Sequence, residues 1–152
     1  MKNMLTVRSI GENRRQYLPI LLEADPDEAM IDRYLEKGRM YGLDEDGKIV
    51  AVAVTVPLEN NSCELKNIAV DPACQGRGLG TKLLREVIRA EAPRADKIYV
   101  GTTLPTEPFY LHSGFVYSHT LRNFFIDNYP EPIFEGDVQC IDMRYLVRST
   151  AL

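Results

Sequence analysis

Cysteine and histidine are scarce in this chain, with 3 and 2 among 152 residues. Cys63, Cys74 and Cys140 are odd in number and scattered, so they spell neither a disulfide framework nor a zinc site. His112 and His119 have no ligand-like company in the sequence, and no metal is expected. Basic excess is missing too: the formal net charge is −4. A nucleic-acid binder would carry a basic footprint, so that class is set aside. No apolar run approaches the ~20 residues of a membrane-spanning helix. The stretch from Met1 to Thr6 lacks the apolar run of a signal peptide. Internal repeats and low-complexity segments are absent. These absences point to a reducing, cytoplasmic setting without nucleic-acid or membrane partners. What is present is the composition of an ordinary globular chain, 45% hydrophobic and 26% charged, read as one domain over 1–152.

The strongest positive signal lies at residues 68–88. Leu79, Leu83, Leu84, Val87 and Ile88 recur at helical spacing, with Lys82, Arg85, Glu86 and Arg89 opposite them. Pro93 limits that helix, and Asp71-Pro72 ends the strand before it. Gly76, Gly78 and Gly80 leave the main chain bare where the helix begins. Unpaired N–H groups at such a helix start form an anion site suited to phosphate. A Walker loop is excluded, because Thr81 separates Gly80 from Lys82. A dinucleotide fingerprint is excluded by the G-x-G-x-G spacing and the mid-chain position.

The rest of the chain frames this turn. Leu5–Ile10 has strand composition. Two helices follow, Arg14 to Leu22 and, after the Asp25-Pro26-Asp27-Glu28 start signal, a second to about Lys37 where Gly38 stops it. Met40 to Asp44 and Ile49 to Val56 form a hairpin across Asp46-Gly47. The second of these strands is apolar on both faces, so it belongs in the centre of a covered sheet. Cys63 to Val70 leads into the turn. Strand 63–70, helix 79–91 and strand 97–101 make a parallel βαβ unit. A short helix at 109–113 closes at Gly114. Phe115 to Phe125 alternates loosely, an acidic loop spans about 127–137, and Val138 to Val147 is the last strand.

Gln75-x-x-Gly78-x-Gly80 after a Val-Asp-Pro strand end resembles the pyrophosphate motif of the GCN5-related N-acetyltransferase (GNAT) superfamily, which binds acetyl-coenzyme A. Tyr110-x-x-x-Gly114-Phe115 resembles that family's second signature. The likeness covers essentially the whole chain; it is strong over 49–117 and general in the first 40 residues. It implies an α/β (mixed α+β) GNAT acyl-CoA N-acyltransferase fold of about seven strands and four helices. A central parallel pair would be splayed at the cofactor site, with irregular alternation around Asn67. Acetyl-CoA would be the cosubstrate. Main-chain groups at Gln75, Gly76, Arg77, Gly78, Gly80 and Thr81 would take its pyrophosphate, and those at Ile68, Ala69 and Val70 its pantetheine arm.

The implied reaction moves an acetyl group directly to an amine of a small molecule or peptide in a ternary complex. An amine with pKa about 10.4 carries a deficit of about 4.6 kcal/mol in free nucleophile at pH 7. Glu64 sits where many family members place the base that takes this proton. The alternative is a strand-edge charge. Acidic residues of the first helices and of the 127–137 loop are secondary candidates. Tyr110 stands where the family uses a hydroxyl to protonate the leaving thiolate; the bland alternative is core packing. Thr103 replaces an Asn common in the family. Two readings compete: transfer from another acyl-CoA, and a CoA-binding sensor without catalysis. A homodimer through the C-terminal strand is a further expectation.

Overall fold

The computed structural model describes residues 3–151; Met1, Lys2 and Leu152, the outermost residues of the stretches read above, lie outside them. Seven strands form one mixed sheet in the order β1-β2-β3-β4-β5-β9-β6. In chain order these are β1 (Leu5–Ile10), β2 (Arg39–Glu45), β3 (Lys48–Leu58), β4 (Ser62–Val70), β5 (Lys97–Thr102), β6 (Val116–Leu121) and β9 (Met143–Ser149). A separate ribbon pairs β7 (Ile133–Glu135) with β8 (Val138–Cys140). The helices are α1 (Leu18–Ala24), α2 (Glu28–Asp32), α3 (Leu79–Glu91), α4 (Glu107–Leu111) and α5 (Phe124–Asn128).

The apolar strand β3 lies at the sheet's centre, as its composition demands. Ala51 and Ala53 join a core with Leu83, Leu84, Val87 and Ile88 of α3. Val52 and Val54 join the core on the other face, with Leu21 of α1 and Ile31 of α2. Each Leu, Ile or Val among them withdrawn from water contributes about 1.5–3 kcal/mol. At the β2–β3 turn, Asp46 and Gly47 both take positive φ, at 53° and 94°. That matches the hairpin chemistry of Asp-Gly.

Three expectations need correction. The first helix is split: a 3-10 turn at Arg14–Tyr17 precedes α1, whose first turn holds Pro19, where a missing N–H is harmless. The second helix ends at Asp32 and continues only as hydrogen-bonded turns to Gly38. The acidic segment is not a plain loop and the last strand is not continuous, because α5 and the β7–β8 ribbon occupy 124–140 and β9 begins only at Met143. That adds a fifth α-helix to the four expected. β9 is also flanked on both sides, by β5 and β6, so the sheet's edges are β1 and β6 rather than the C-terminal strand.

The sheet opens where the glycine turn begins. β4 and β5 run parallel, but their pairing covers only Ser62↔Lys97 through Leu65↔Val100. On its other edge β4 slips against β3: Thr55 pairs with Leu65, whereas Val54 pairs with Asn67. Lys66 is therefore the extra residue of a bulge, where alternation was expected to fail. Beyond it, Asn67 and Ala69 turn to the α1–α2 face, while Ile68 and Val70 lie against the α3 core. The edge of β4 from Lys66 to Val70 that faces β5 is left without a strand partner.

Candidate active site

A cavity of about 780 Å³ fills the gap between the parted strands. One wall is β4 from Leu65 to Val70 with Gln75 and Gly80; another is Val100 to Thr103 with Phe109 and Tyr110. The third comes from the α1–α2 turn at Glu23, Ala24, Asp25 and Pro26, and the fourth from Phe125, Tyr129, Phe134 and Glu135.

At the turn, Gly76 and Gly78 take φ of 81° and 75°, a region other residues avoid. A Cβ added at either would meet nothing within 4 Å, so these glycines answer to conformation and leave an open concavity. Gly78 caps the 13-residue α3 without a side chain, so the first N–H groups of that helix lack intrahelical partners. Gln75 Nε2 donates to the Val70 carbonyl at 3.1 Å and ties the turn to the strand end. Arg77 points elsewhere: its guanidinium is doubly bonded to Glu45 of β2, with one contact at 3.0 Å. That pairing holds the Glu45 carboxyl down at about 2. Thr81 is exposed on the outer side of α3. A bare, open turn beside an unpaired strand edge fits an extended ligand with a phosphate head and an amide-bearing arm, the shape and chemistry of CoA.

Tyr110 is 7% exposed and lines the cavity from α4. Its ring meets Phe109 and Phe115 edge to face, at centroid distances of 5.0 and 5.6 Å. Its hydroxyl has no hydrogen-bond partner among the described residues. Burial, then the charge of Glu135, pushes the phenol up from its ordinary value. Glu64 does not line the cavity. Tyr145 Oη donates to its Oε2 at 3.0 Å, and Lys66 Nζ lies 3.3 Å from the same oxygen. Thr103 Oγ1 donates to Glu135 Oε1 at 2.7 Å, and Thr106 Oγ1 to Oε2 at 2.8 Å. The two threonines thus clasp the β7–β8 ribbon against the wall beside Tyr110. Glu131, by contrast, is exposed and away from the lining.

One network here has no motif to announce it. Asn67 Nδ2 donates to the Leu21 carbonyl at 3.1 Å and contacts Tyr34 Oη at 3.0 Å. Tyr34 Oη reaches Asp25 Oδ2 at 3.4 Å, and Tyr129 Oη donates to Asp25 Oδ1 at 3.0 Å. Burial raises the Asp25 carboxyl from its usual value, against the lowering effect of these donors. Only the polar identity of Asn67 inside a strand could have hinted at the network from sequence.

A splayed mixed sheet with a glycine turn at the mouth of its gap defines a class of acyl-CoA-type transferases, and comparison agrees. The family model described as "Acetyltransferase (GNAT) domain" matches residues 36–117, and the chain belongs to this family of GNAT acetyltransferases. It is similar to the uncharacterized N-acetyltransferase YvbK of Bacillus subtilis, 33% identical over 93% of this chain and 95% of that one. Among solved structures it resembles a GNAT family acetyltransferase from Elizabethkingia anophelis with acetyl-CoA bound. That match has TM-score 0.90, 33% identity and 97% and 99% coverage of the two chains. A Bacillus subtilis acetyltransferase in complex with CoA follows at TM-score 0.88, 30% identity and 96% and 99% coverage.

Proposed function

We propose that this chain is an acetyl-CoA-dependent N-acetyltransferase that modifies an amine of a small molecule or peptide by direct transfer. The observation that carries this reading is Tyr110, a buried residue whose hydroxyl has no partner among the described residues, in a cavity that begins at the bare glycine turn. Main-chain N–H groups from Gln75 to Thr81 hold the pyrophosphate, with Gly76 and Gly78 supplying the conformation. Arg77 takes part through its main chain, since its side chain is engaged by Glu45. Ile68, Ala69 and Val70 offer the free edge of β4 to the pantetheine arm. Bound acetyl-CoA would supply an activated acetyl thioester.

Tyr110 gives its hydroxyl proton to the departing sulfur as the new C–N bond forms and the C–S bond breaks. The burial that raises the phenol raises the basicity of a thiolate beside it as well, so the two remain matched. Glu64 accepts the proton lost by the amine. Because it lies outside the lining, held by Tyr145 and Lys66, the proton reaches it through water. A screen of amines with acetyl-CoA and mass-spectrometric detection tests the reading. Acetylated product with at least one amine class is expected; none across a broad panel, with CoA still bound, contradicts it.

A further inference from the structure

We propose that Asp25 receives the ammonium group of the acceptor, and that the acceptor is an amine with an apolar body and no carboxylate. The inference rests on the acetyltransferase reading above and names its substrate class.

Asp25 lies in the turn between α1 and α2 and lines the cavity. Three donors from three parts of the chain fix it: the Tyr34 and Tyr129 hydroxyls and the Asp27 N–H, the last at 3.2 Å. Among the described residues no lysine or arginine pairs with it. The other carboxylates nearby are spoken for or outlying. Glu135 is held by Thr103 and Thr106, Glu64 by Tyr145 and Lys66, and Glu23 is exposed at the rim. A half-buried carboxylate without a counterion is a costly arrangement that a bound cation relieves.

A second observation comes from the strand side of the same network. Asn67 lines the same cavity, is 3% exposed, and its Oδ1 has no hydrogen-bond partner. The contact of Nδ2 with the Leu21 carbonyl, which can only accept, fixes the amide's orientation. Oδ1 is sealed from solvent and lacks a donor among the described residues, an unmet demand that an N–H drawn in beside Asp25, or a water it orders, would meet.

The remaining surfaces choose the acceptor's body. Phe125 and Tyr129 stack with centroids 5.5 Å apart, and Phe134 stands 58% exposed at the cavity's edge. These rings suit an aliphatic or aromatic body. The lining carries three carboxylates (Glu23, Asp25, Glu135) against one cation, Lys66, which already pairs with Glu64. That field attracts an ammonium and repels a carboxylate, which disfavours amino acids.

Calorimetric titration of phenethylamine, L-phenylalanine and spermidine into the CoA-loaded protein tests the proposal without relying on turnover. Phenethylamine should bind; phenylalanine should be weaker by about tenfold or more because of its carboxylate, and spermidine weaker because its further ammonium groups would have to desolvate against the Phe125, Tyr129 and Phe134 rings. Asp25→Asn should weaken phenethylamine by about tenfold or more while leaving CoA affinity within about twofold. Equal affinity in Asp25→Asn and the original protein overturns the site. Phenylalanine or spermidine binding as tightly as phenethylamine overturns the class, and no phenethylamine binding at all overturns both. Should Asp25→Asn lose CoA as well, Tyr129→Phe carries the test: about threefold weaker phenethylamine binding is expected, and unchanged binding overturns the site. Binding of phenethylamine without thiol release supports Asp25 and contradicts only the acetyltransferase reading.

Discussion

On the glycine-turn side of the cavity, the groups on offer are main-chain: N–H groups at the start of α3 and the unpaired edge of β4. On the Asp25 side they are side chains, a carboxylate and a set of phenols and rings carried by five- and seven-residue helices, the turns beside them and a short ribbon, with the Asn67 amide reaching in from β4. The first side rests on a 13-residue helix and a central strand buried on both faces. The second is assembled from segments about 100 residues apart in the chain, joined by the Tyr129–Asp25 hydrogen bond. A site built from main chain needs particular glycines at particular spacings, whatever the reaction. A site built from side chains can be changed without disturbing the fold. The two sides should therefore fail separately when mutated.

The largest effect is expected where the sides meet. Tyr110→Phe removes the hydroxyl that no other described side chain engages and should lower kcat by about 10²–10⁴-fold. Acceptor and CoA affinities should stay near their original values. Next, Gly78→Ala puts a side chain on a residue at φ 75°. With no atom within 4 Å of the new Cβ, the cost is conformational, roughly 1–2 kcal/mol. Denaturant titration should show that loss together with weaker CoA binding, while amine binding on the Asp25 side is kept.

A smaller effect should run in the opposite direction. The Asp25 carboxyl is raised above its ordinary 3.8, so ionised Asp25 weakens the folded state at neutral pH. Asp25→Asn should be more stable than the original protein at pH 7. The difference should shrink as pH falls through the raised value and level off well below the ordinary 3.8, where the carboxyl is protonated in both folded and unfolded chains. A stability gain that comes with lost amine binding would mark Asp25 as kept for function. The smallest effect belongs to Glu45. Its carboxyl sits at about 2 in the fold against 4.5 ordinarily, because of Arg77 and then Asn3. A depressed carboxyl stabilises above its unfolded value, and that contribution fades as pH falls from about 4.5 towards 2. Glu45→Gln should flatten acid unfolding slightly in that window. Solvent exposure keeps the change small, and phosphate binding at the turn should not follow the Arg77 side chain.

The same contrast explains what could be read from the sequence. The helix at 79–91 was legible to the residue, because five buried apolar side chains repeat at its period. The parted strands were legible only through the family resemblance, which implied an irregularity near Asn67; the bulge at Lys66 is its cause. Segment 124–140 was not legible. Its α5 and ribbon have five and three residues per element, too short for any periodicity, and docking against Thr103, Thr106 and Asp25 sets their conformation. Asp25 itself looked like one carboxylate among many on two acidic helices. Only the fold separates it from Glu28 and Asp32, which pair with Arg15 on the surface.

Release of free thiol from acetyl-CoA, measured with and without an amine, reports on both sides of the cavity at once. Release should need an amine with an apolar body and drop by at least about a hundredfold in Tyr110→Phe. CoA bound tightly with no amine-dependent release, or release undiminished in Tyr110→Phe, would contradict it.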